Sequence, residues 1–359
     1  MLLVLYQLKK GLSIVIRAHA GGRDCRQIAD ARLRLLCYND PGGMHVFTRM
    51  KSLLLERYPV RKTWKQKSAF IEYVKAYAEE MEMPVTVEEG GRYVRSRNVV
   101  LGDLKRARML ITAHYDTCAR LPFSNFMTPN NWPIVILTEG ILIALIAAAG
   151  VWLGGAAGDL MRAAAWPGWL AWMLGFALGV SVSAALLALM LIGPANPHNA
   201  NDNTSGVTFV LGAMERLKAR TDVAYVLFDN EEKGLLGASA FIAAHPQAAR
   251  RCLVVNMDCI GDGSTLLYTG TKRAMAHPLA KKIEAALLDT ASQYALSAVS
   301  GLFPRWLYPS DQMLFPRGTA FAALKGKRLL YLDRIHTARD TVLDEKNLAC
   351  LLDVIEKSI

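Results

Sequence analysis

Val223-Ala224-Tyr225-Val226-Leu227-Phe228-Asp229-Asn230-Glu231-Glu232-Lys233-Gly234-Leu235-Leu236-Gly237 is an apolar, β-prone run that stops abruptly in acids and glycines. A helix-like run, Ala238 to Ala244, follows it. Strand, loop and helix form the repeating unit of an open α/β sheet. The unit places Glu231 and Glu232 on a loop at the C-terminal end of a strand, where such sheets bind ligands. Two adjacent acids there repel each other and lose hydration, and a bound cation is the simplest stabiliser. Taken alone, the pair reads better as a solvated acidic turn, so the decision rests with the rest of the chain.

Working outward, other strand ends carry the same kind of side chain. Upstream, Met109-Leu110-Ile111-Thr112-Ala113 is a short buried strand running straight into His114-Tyr115-Asp116. His114 and Asp116 are two residues apart and can share a face, and a metal-bound His usually has an orienting carboxylate on its other nitrogen. Downstream, Cys252 to Met257 is a strand ending in Asp258, and Leu329 to Leu332 leads into His336. Asp202 sits in a polar loop just before a helix carrying Val207, Val210, Leu211, Met214 and Leu217 on one face. As a lone residue, Asp202 reads as an N-cap. Leu266 to Thr269 and Thr319 to Leu324 are further strands, and Val85 to Val87 and Tyr93 to Leu101 flank a Gly90-Gly91 turn. Helices are expected over Thr63 to Met83, His277 to Ala291 and Asp344 to Ile359. The basic residues of the first, Lys65, Lys67 and Lys75, read as a solvated face. Pro309 to Phe315 is a polar loop entering an apolar turn.

Five of these positions, His114, Asp202, Glu232, Asp258 and His336, make a two-His, three-carboxylate set suited to zinc, with manganese or cobalt as substitutes. The set suffices for two cations if one carboxylate bridges, an arrangement typical of hydrolases including aminopeptidases. Glu231 is then free to move protons. His198 is close enough to Asp202 in sequence to be weighed as an extra ligand and is set aside. Cys118 and Cys259 follow site residues and read as packing residues.

One region breaks the α/β pattern. Residues 134–157 and 166–192 are two long apolar stretches, the second without charge and the first with only Glu139. Each is long enough to span a bilayer. A short polar link carrying Asp159 and Arg162 is expected between them, and Trp132, Trp152, Trp166, Trp169 and Trp172 lie in or beside the runs. A transmembrane hairpin is preferred over two buried core helices. A hairpin returns both ends to one side, and Lys105, Arg106, Arg108 and Arg120 before it outnumber Arg162, which puts the body in the cytoplasm.

The 359-residue chain carries a net charge of +11 and a pI near 9.4. No basic stripe interleaves with aromatics, so nucleic acid is not expected as a partner, and the excess reads as a cytoplasmic or membrane-surface bias. Six scattered cysteines without a C-x-x-C pair point to a reducing compartment. Residues 1–43, basic and short of structural cues, read as a poorly ordered extension, or as sequence upstream of a start at Met44 or Met50. An intact mass of the native protein beginning at Met1 would sink the second reading.

The motifs, in order, are Ala113-His114-Tyr115-Asp116-Thr117 and Asn201-Asp202-Asn203-Thr204-Ser205-Gly206, then Phe228-Asp229-Asn230-Glu231-Glu232-Lys233-Gly234-Leu235-Leu236-Gly237-Ala238-Ser239 and Asn256-Met257-Asp258-Cys259-Ile260-Gly261. Ser310-Asp311-Gln312 and His336-Thr337-Ala338-Arg339-Asp340-Thr341 complete them. In this order they resemble the di-zinc aminopeptidase family of clan MH metallopeptidases, which includes bacterial leucyl aminopeptidases, glutamate carboxypeptidases and glutaminyl cyclases. The resemblance covers about residues 44–118 and 196–359, with residues 119–195 as an inserted membrane hairpin.

It implies an α/β three-layer sandwich with a mixed, mostly parallel central sheet. It implies that Asp202 bridges two Zn²⁺ ions, that His114 and Asp258 complete one site and Glu232 and His336 the other, that Glu231 is the general base and then acid, and that Asp116 orients His114. Asp311 and Gln312 are candidate substrate-binding residues. The family often has His where Gln312 stands, and an amide neither titrates nor binds metal as imidazole does, so altered substrate handling is expected. The function implied is a membrane-anchored aminopeptidase acting on peptides with a free N-terminus. A glutaminyl cyclase-like transferase and a non-catalytic scaffold or receptor are the alternatives. The five intact ligands argue against the first, since the cyclases work with one zinc, and Glu231 argues against the second.

Overall fold

Eight short, mostly apolar runs form one sheet in the computed structural model, which describes residues 44–91 and 94–359. The extension expected over residues 1–43 and the start of the strand expected at Tyr93 lie outside the described residues. The strands are β1 (Val85–Gly90), β2 (Ser96–Leu101), β3 (Met109–His114), β4 (Val223–Phe228), β5 (Leu253–Met257), β6 (Thr265–Gly270), β7 (Ser297–Leu302) and β8 (Gly318–Leu324). Their order across the sheet is β1-β2-β4-β3-β5-β8-β6-β7. β4, β3, β5 and β8 are neighbours and run parallel. β2 pairs antiparallel with β1 and β4, while β6 is antiparallel to β8 and parallel to β7. The sheet is therefore mixed and mostly parallel, as expected.

Besides a single turn at Lys272–Met275, the helices among the described residues are α1 (Met44–Arg57), α2 (Trp64–Glu80), α3 (Trp132–Ala163), α4 (Gly168–Ile192), α5 (Gly206–Arg216), α6 (Leu236–Ala244), α7 (Pro246–Arg251), α8 (Pro278–Thr290) and α9 (Glu345–Ser358). Alternate strand residues feed two cores, as the pleat dictates. Ile111, Tyr225, Leu227 and Val255 pack with Phe47, Phe209, Val210, Leu351 and Leu352 on one face. Leu110, Ala224, Val226 and Val254 pack with Ala238, Phe241, Ala249 and Phe315 on the other. Each fully buried Val, Leu, Ile or Phe among them stabilises the fold by about 1.5–3 kcal/mol. The parallel central strands are buried from end to end. This is why they read as unbroken apolar runs rather than alternating ones.

Two elements carry no clear signal in the sequence. α1 buries Val46, Phe47, Met50 and Leu54 at helical spacing, but polar and exposed residues between them mask the stripe. β7 is an edge strand that is only half-buried, so Ser297, Ser300 and Gly301 sit in it without penalty and erase the apolar pattern.

α2 opens on a capping box. The Thr63 hydroxyl accepts the Gln66 amide at 3.3 Å, and the Gln66 side chain accepts the Thr63 amide at 2.9 Å. One expectation for this helix fails: Lys67 is buried rather than solvated. Its ammonium ion-pairs with Asp229 and donates to Asn230 Oδ1 at 2.8 Å, so the packing of α2 on the sheet carries a charge inward to meet the loop after β4.

α3 and α4 are the two apolar stretches, and their most apolar 18-residue windows have mean hydropathies of 2.5 and 2.3. α3 is longer than expected at 32 residues, which corrects the position of the link. Asp159 and Arg162 lie inside the helix, paired three residues apart, and the link is residues 164–167. An i,i+3 ion pair lets a helix continue through polar positions. The two helices touch along small residues. A Cβ on Gly154 would lie 2.4 Å from the Gly175 carbonyl oxygen, and one on Gly179 2.6 Å from that of Gly150. Backbones this close are the mark of small-xxx-small packing. Only 6% and 11% of the most apolar windows are buried, so the body does not cover these helices.

The pair is rooted in the body at one end. Ala119 bridges Ala195, the Arg120 amide donates to Pro194 O at 2.8 Å, and the Asn196 amide donates to Cys118 O at 3.1 Å. Lys62 Nζ reaches Leu191 O, the C-terminal turn of α4, at 3.3 Å.

Candidate functional site

β4, β3 and β5 lie side by side, and their C-terminal ends deliver Glu231 and Glu232, His114, and Asp258 to one edge of the sheet. His336 arrives from the segment after β8, and Asp202 from the turn before α5. The structure therefore brings together all five residues expected as ligands.

The Asp202 carboxylate lies between the two histidines. Its Oδ1 is 3.3 Å from His114 Nε2 and its Oδ2 is 3.0 Å from His336 Nε2. Asp258 Oδ1 lies 3.7 Å from His114 Nε2 on one side, and Glu232 Oε2 lies 3.3 Å from His336 Nε2 on the other. Among the described residues, His114-Asp202-Asp258 and Cys118-Asp202-Glu232-His336 each bring one donor atom per residue within 4.8 Å of the others. One carboxylate shared by two such groups is the arrangement a pair of cations needs.

Burial alone would lower the His114 pKa, but the carboxylates of Glu231, Asp116, Asp202 and Asp258 outweigh it and hold the ring well above the usual range. His336, also opposed by burial, is raised to about 9 by Glu232 and Asp202. Burial would raise Asp202, but its contacts with His114 and His336 hold it well below the carboxylate range. Glu232 is pushed up to about 8 by burial and by the neighbouring Asp202. Burial, Glu232, Asp311 and Asp258 raise Glu231 well above an ordinary glutamate. A cluster so short of positive charge is suited to a cation. Asp258 Oδ1 and Glu232 Oε1 test this directly, since both are buried without a hydrogen-bond donor. A cation satisfies such atoms where no donor is near, and the N/O donor set fits zinc.

Asp116 stands between His114 and Glu231. Its Oδ1 is 3.5 Å from His114 Nδ1 and accepts the Glu231 amide at 3.0 Å. The loop carrying Glu231 and Glu232 is fixed from below. Asn230 takes a left-handed conformation with φ 53°, which Asn tolerates. Asp229 Oδ2 accepts the Arg97 amide at 2.9 Å, and the Asn230 amide group donates to Arg95 O at 3.0 Å. Gly237 is required where it stands, because a Cβ there would lie 2.1 Å from Asp229 O.

Four further residues serve the site beyond those the sequence reading assigned. Arg61, fully buried, donates to Tyr115 O at 2.6 Å, Tyr58 O at 2.7 Å and Thr204 Oγ1 at 3.1 Å, tying the His114 strand end to the Asp202 turn. Burial lowers its pKa to about 10 against the pull of Asp116. Lys67 holds Asp229, and Asp340 holds the backbone of Asn201 and Asp202. No sequence signal marks Arg61 or Lys67, since a lone basic residue near a helix start reads as solvated. Asp340 stands in a quoted motif without an assigned role. Cys118, read as packing, lies within the Asp202-Glu232-His336 group.

His198 is exposed and outside both ligand groups. Asp311 is buried with both carboxylate oxygens free of donors. Gln312 is buried, its Nε2 donating to Tyr308 O at 2.6 Å and its Oε1 accepting from Asn256 at 3.3 Å.

Residues 184–355 match the model of peptidase family M28. The structure resembles the LapA aminopeptidase of Legionella pneumophila, with a TM-score of 0.52 at 12% identity, over 96% of this chain and 78% of that one. It also resembles a leucine aminopeptidase precursor from Bacteroides thetaiotaomicron, with a TM-score of 0.53 at 14% identity, over 89% and 95% of the two chains. A glutaminyl cyclase from the same organism gives 0.54 at 13% identity over 90% and 97%. These identities speak to the fold alone. No curated protein sequence matches the chain. The resemblance to the clan MH peptidases read from the motifs is borne out by family model and by fold. His114 and Asp116, which lie outside the matched residues, join the site through the structure.

Proposed function

We propose that this chain is a membrane-anchored, zinc-dependent aminopeptidase that hydrolyses the N-terminal peptide bond of peptides with a free amine. The observation that carries the reading is the Asp202 carboxylate shared between His114 and His336, 3.3 and 3.0 Å away, with Asp258 and Glu232 flanking them. His114, Asp202 and Asp258 would hold one cation, and Asp202, Glu232 and His336 the other. Bound zinc supplies a Lewis acid for the scissile carbonyl and lowers the pKa of a water. Glu231 takes the proton from the attacking water and returns it to the leaving amine. Asp116 accepts the Glu231 amide and lies 3.5 Å from His114 Nδ1, so one carboxylate stands between ligand and base. Asp311, whose charge acts on Glu231, and its neighbour Gln312 are assigned to substrate selection.

The exposed apolar lengths of α3 and α4 support insertion in a bilayer. At about 1.5 Å per residue, each exceeds the roughly 30 Å hydrocarbon thickness. The basic residues before the hairpin support a cytoplasmic body.

The test is metal content and turnover measured together. Detergent-purified chain and its Glu231→Gln variant are compared on amino-acyl amides, short peptides and Gln-initiated peptides. About two zinc per chain, as two-metal hydrolases hold, with release of the first residue by the wild type only, supports the reading. Ring closure of the Gln peptide without release of the residue makes the chain a cyclase instead. Activity retained in Glu231→Gln removes the assigned base.

A further inference from the structure

Four cysteines are among the described residues, and three have ordinary surroundings. Cys350, Cys252 and Cys259 each belong to one of the apolar clusters. Cys118 is equally buried but belongs to none of them. Its Sγ lies within 4.8 Å of a donor atom of each of Asp202, Glu232 and His336. It is held through the neighbouring Thr117 side chain and through its own carbonyl. The Thr117 hydroxyl accepts the Arg61 amide at 2.9 Å, and Cys118 O accepts the Asn196 amide at 3.1 Å. The thiol is thus held against polar groups, not in a hydrophobic core. A second observation comes from the same group of donors: the Glu232 side chain is 8% exposed, and its Oε1 is buried without a hydrogen-bond partner.

We infer that Cys118 is a sulfur ligand of the cation held by Asp202, Glu232 and His336. The inference rests on the metal-centre reading above and refines it. The bond forms between Sγ and the cation, and the thiol proton is released to solvent. The two halves of the centre then differ in kind. Sulfur, imidazole and two carboxylates give the His336 half four protein donors, the closed set of a structural zinc site. His114, Asp202 and Asp258 give the other half three donors and leave a position open, as catalytic zinc sites do. Glu231 stands where the two halves meet, its carboxylate within 4.8 Å of a His114 ring nitrogen and of a Glu232 oxygen, so it can serve a water held at the open position. A thiolate also biases the closed half toward zinc and away from manganese.

Cobalt(II) replaces zinc in the test, because its absorption reports ligand type without any turnover. The purified full chain is stripped, loaded with cobalt and scanned, with metal content measured alongside. The expected spectrum has visible ligand-field bands and a near-ultraviolet sulfur-to-cobalt charge-transfer band. Cys118→Ser is expected to lose the charge-transfer band and keep the ligand-field bands, while Cys259→Ser keeps both. The wild-type spectrum is decisive even if Cys118→Ser does not fold. Ligand-field bands without charge transfer in the wild type overturn the role of Cys118 and leave the metal centre standing, as does charge transfer that survives in Cys118→Ser. A chain that binds no cobalt overturns both.

Discussion

Asp340 grips the backbone beneath Asp202: its Oδ1 accepts the Asn201 amide at 2.8 Å and its Oδ2 accepts the Asp202 amide at 3.0 Å. The shared carboxylate is therefore aimed by a second carboxylate that touches neither histidine. Asp340→Asn leaves one acceptor for two amide donors and turns an N–H group toward one of them. Outer partners of metal ligands change affinity or activity by about 10–100-fold. A loss of that size in metal affinity is expected, with the circular dichroism of the body unchanged. Titration with a competing chelator measures it, and full affinity in Asp340→Asn would show that the turn holds itself.

Lys67 and Asp229 form a buried ion pair with side chains 5% and 1% exposed. Removing one partner from such a pair strands the other, a loss of about 3–5 kcal/mol. Lys67→Met is expected to destabilise the body by that amount in denaturant titrations of the detergent-solubilised chain. Adding Asp229→Asn removes the stranded charge, so the double variant is expected to lose less than the sum of the singles. Strict additivity would mean that the pair has no coupling.

How much of this was legible follows from where each signal lives. Glu231, Glu232, His114 and Asp258 close apolar strand runs, so a change from β-prone to acidic or His residues marks them along the chain. Asp202 and His336 sit in loops without such a boundary; residue type alone brought them into the ligand set, and order along the chain, through resemblance to a family, was needed to give each a role. Arg61 and Lys67 were illegible, because burial of a basic side chain is decided by what packs over it. That in turn depends on the meeting of α2 with the loops after β3 and β4. β7 was lost for a related reason: an edge strand buries too little to demand an apolar sequence. The α3–α4 pair was legible from composition alone, but its link was misplaced, because the Asp159–Arg162 pair is helix-compatible rather than loop-forming.

His277 caps α8 through its ring, with Nδ1 accepting the Leu279 amide at 3.3 Å. Only the neutral ring can accept. Burial, Arg317 and Arg108 all lower its pKa below the ordinary 6.5. The unfolded chain therefore binds this proton more readily than the folded one. Stability contributed by the cap is complete above about pH 6.5 and declines as pH falls toward the lowered folded value. His277→Asn supplies a cap acceptor that does not titrate. Amide protection at the first turn of α8, taken relative to the intrinsic exchange rate at each pH, is expected to fall below about pH 6.5 in the wild type and to stay level in the variant. Identical pH profiles would remove the ring from the cap.

The glycines of the apolar pair make the sharpest comparison, because neighbours in sequence face opposite ways. A Cβ on Gly154 would meet Gly175 O at 2.4 Å, while one on Gly155 meets nothing within 4 Å. Helix propensity improves by nearly the same amount at either position, about 1 kcal/mol for Gly→Ala, so propensity cannot separate them. Packing can. Gly154→Leu must force α3 and α4 apart, at a cost of about 1–3 kcal/mol or more, whereas Gly155→Leu only adds apolar surface to an already exposed face. Separation would also travel to the root of the pair. Lys62 binds Leu191 O at the end of α4, and Cys118 O binds the Asn196 amide just beyond it. Gly154→Leu is therefore expected to lower thermal stability in detergent and to weaken metal retention, with Gly155→Leu matching the wild type in both. If both leucine variants retain metal and melt as the wild type does, the glycine contact does not hold the helices together. If Gly154→Leu melts early but keeps its metal, the pair is an anchor with no mechanical grip on the centre.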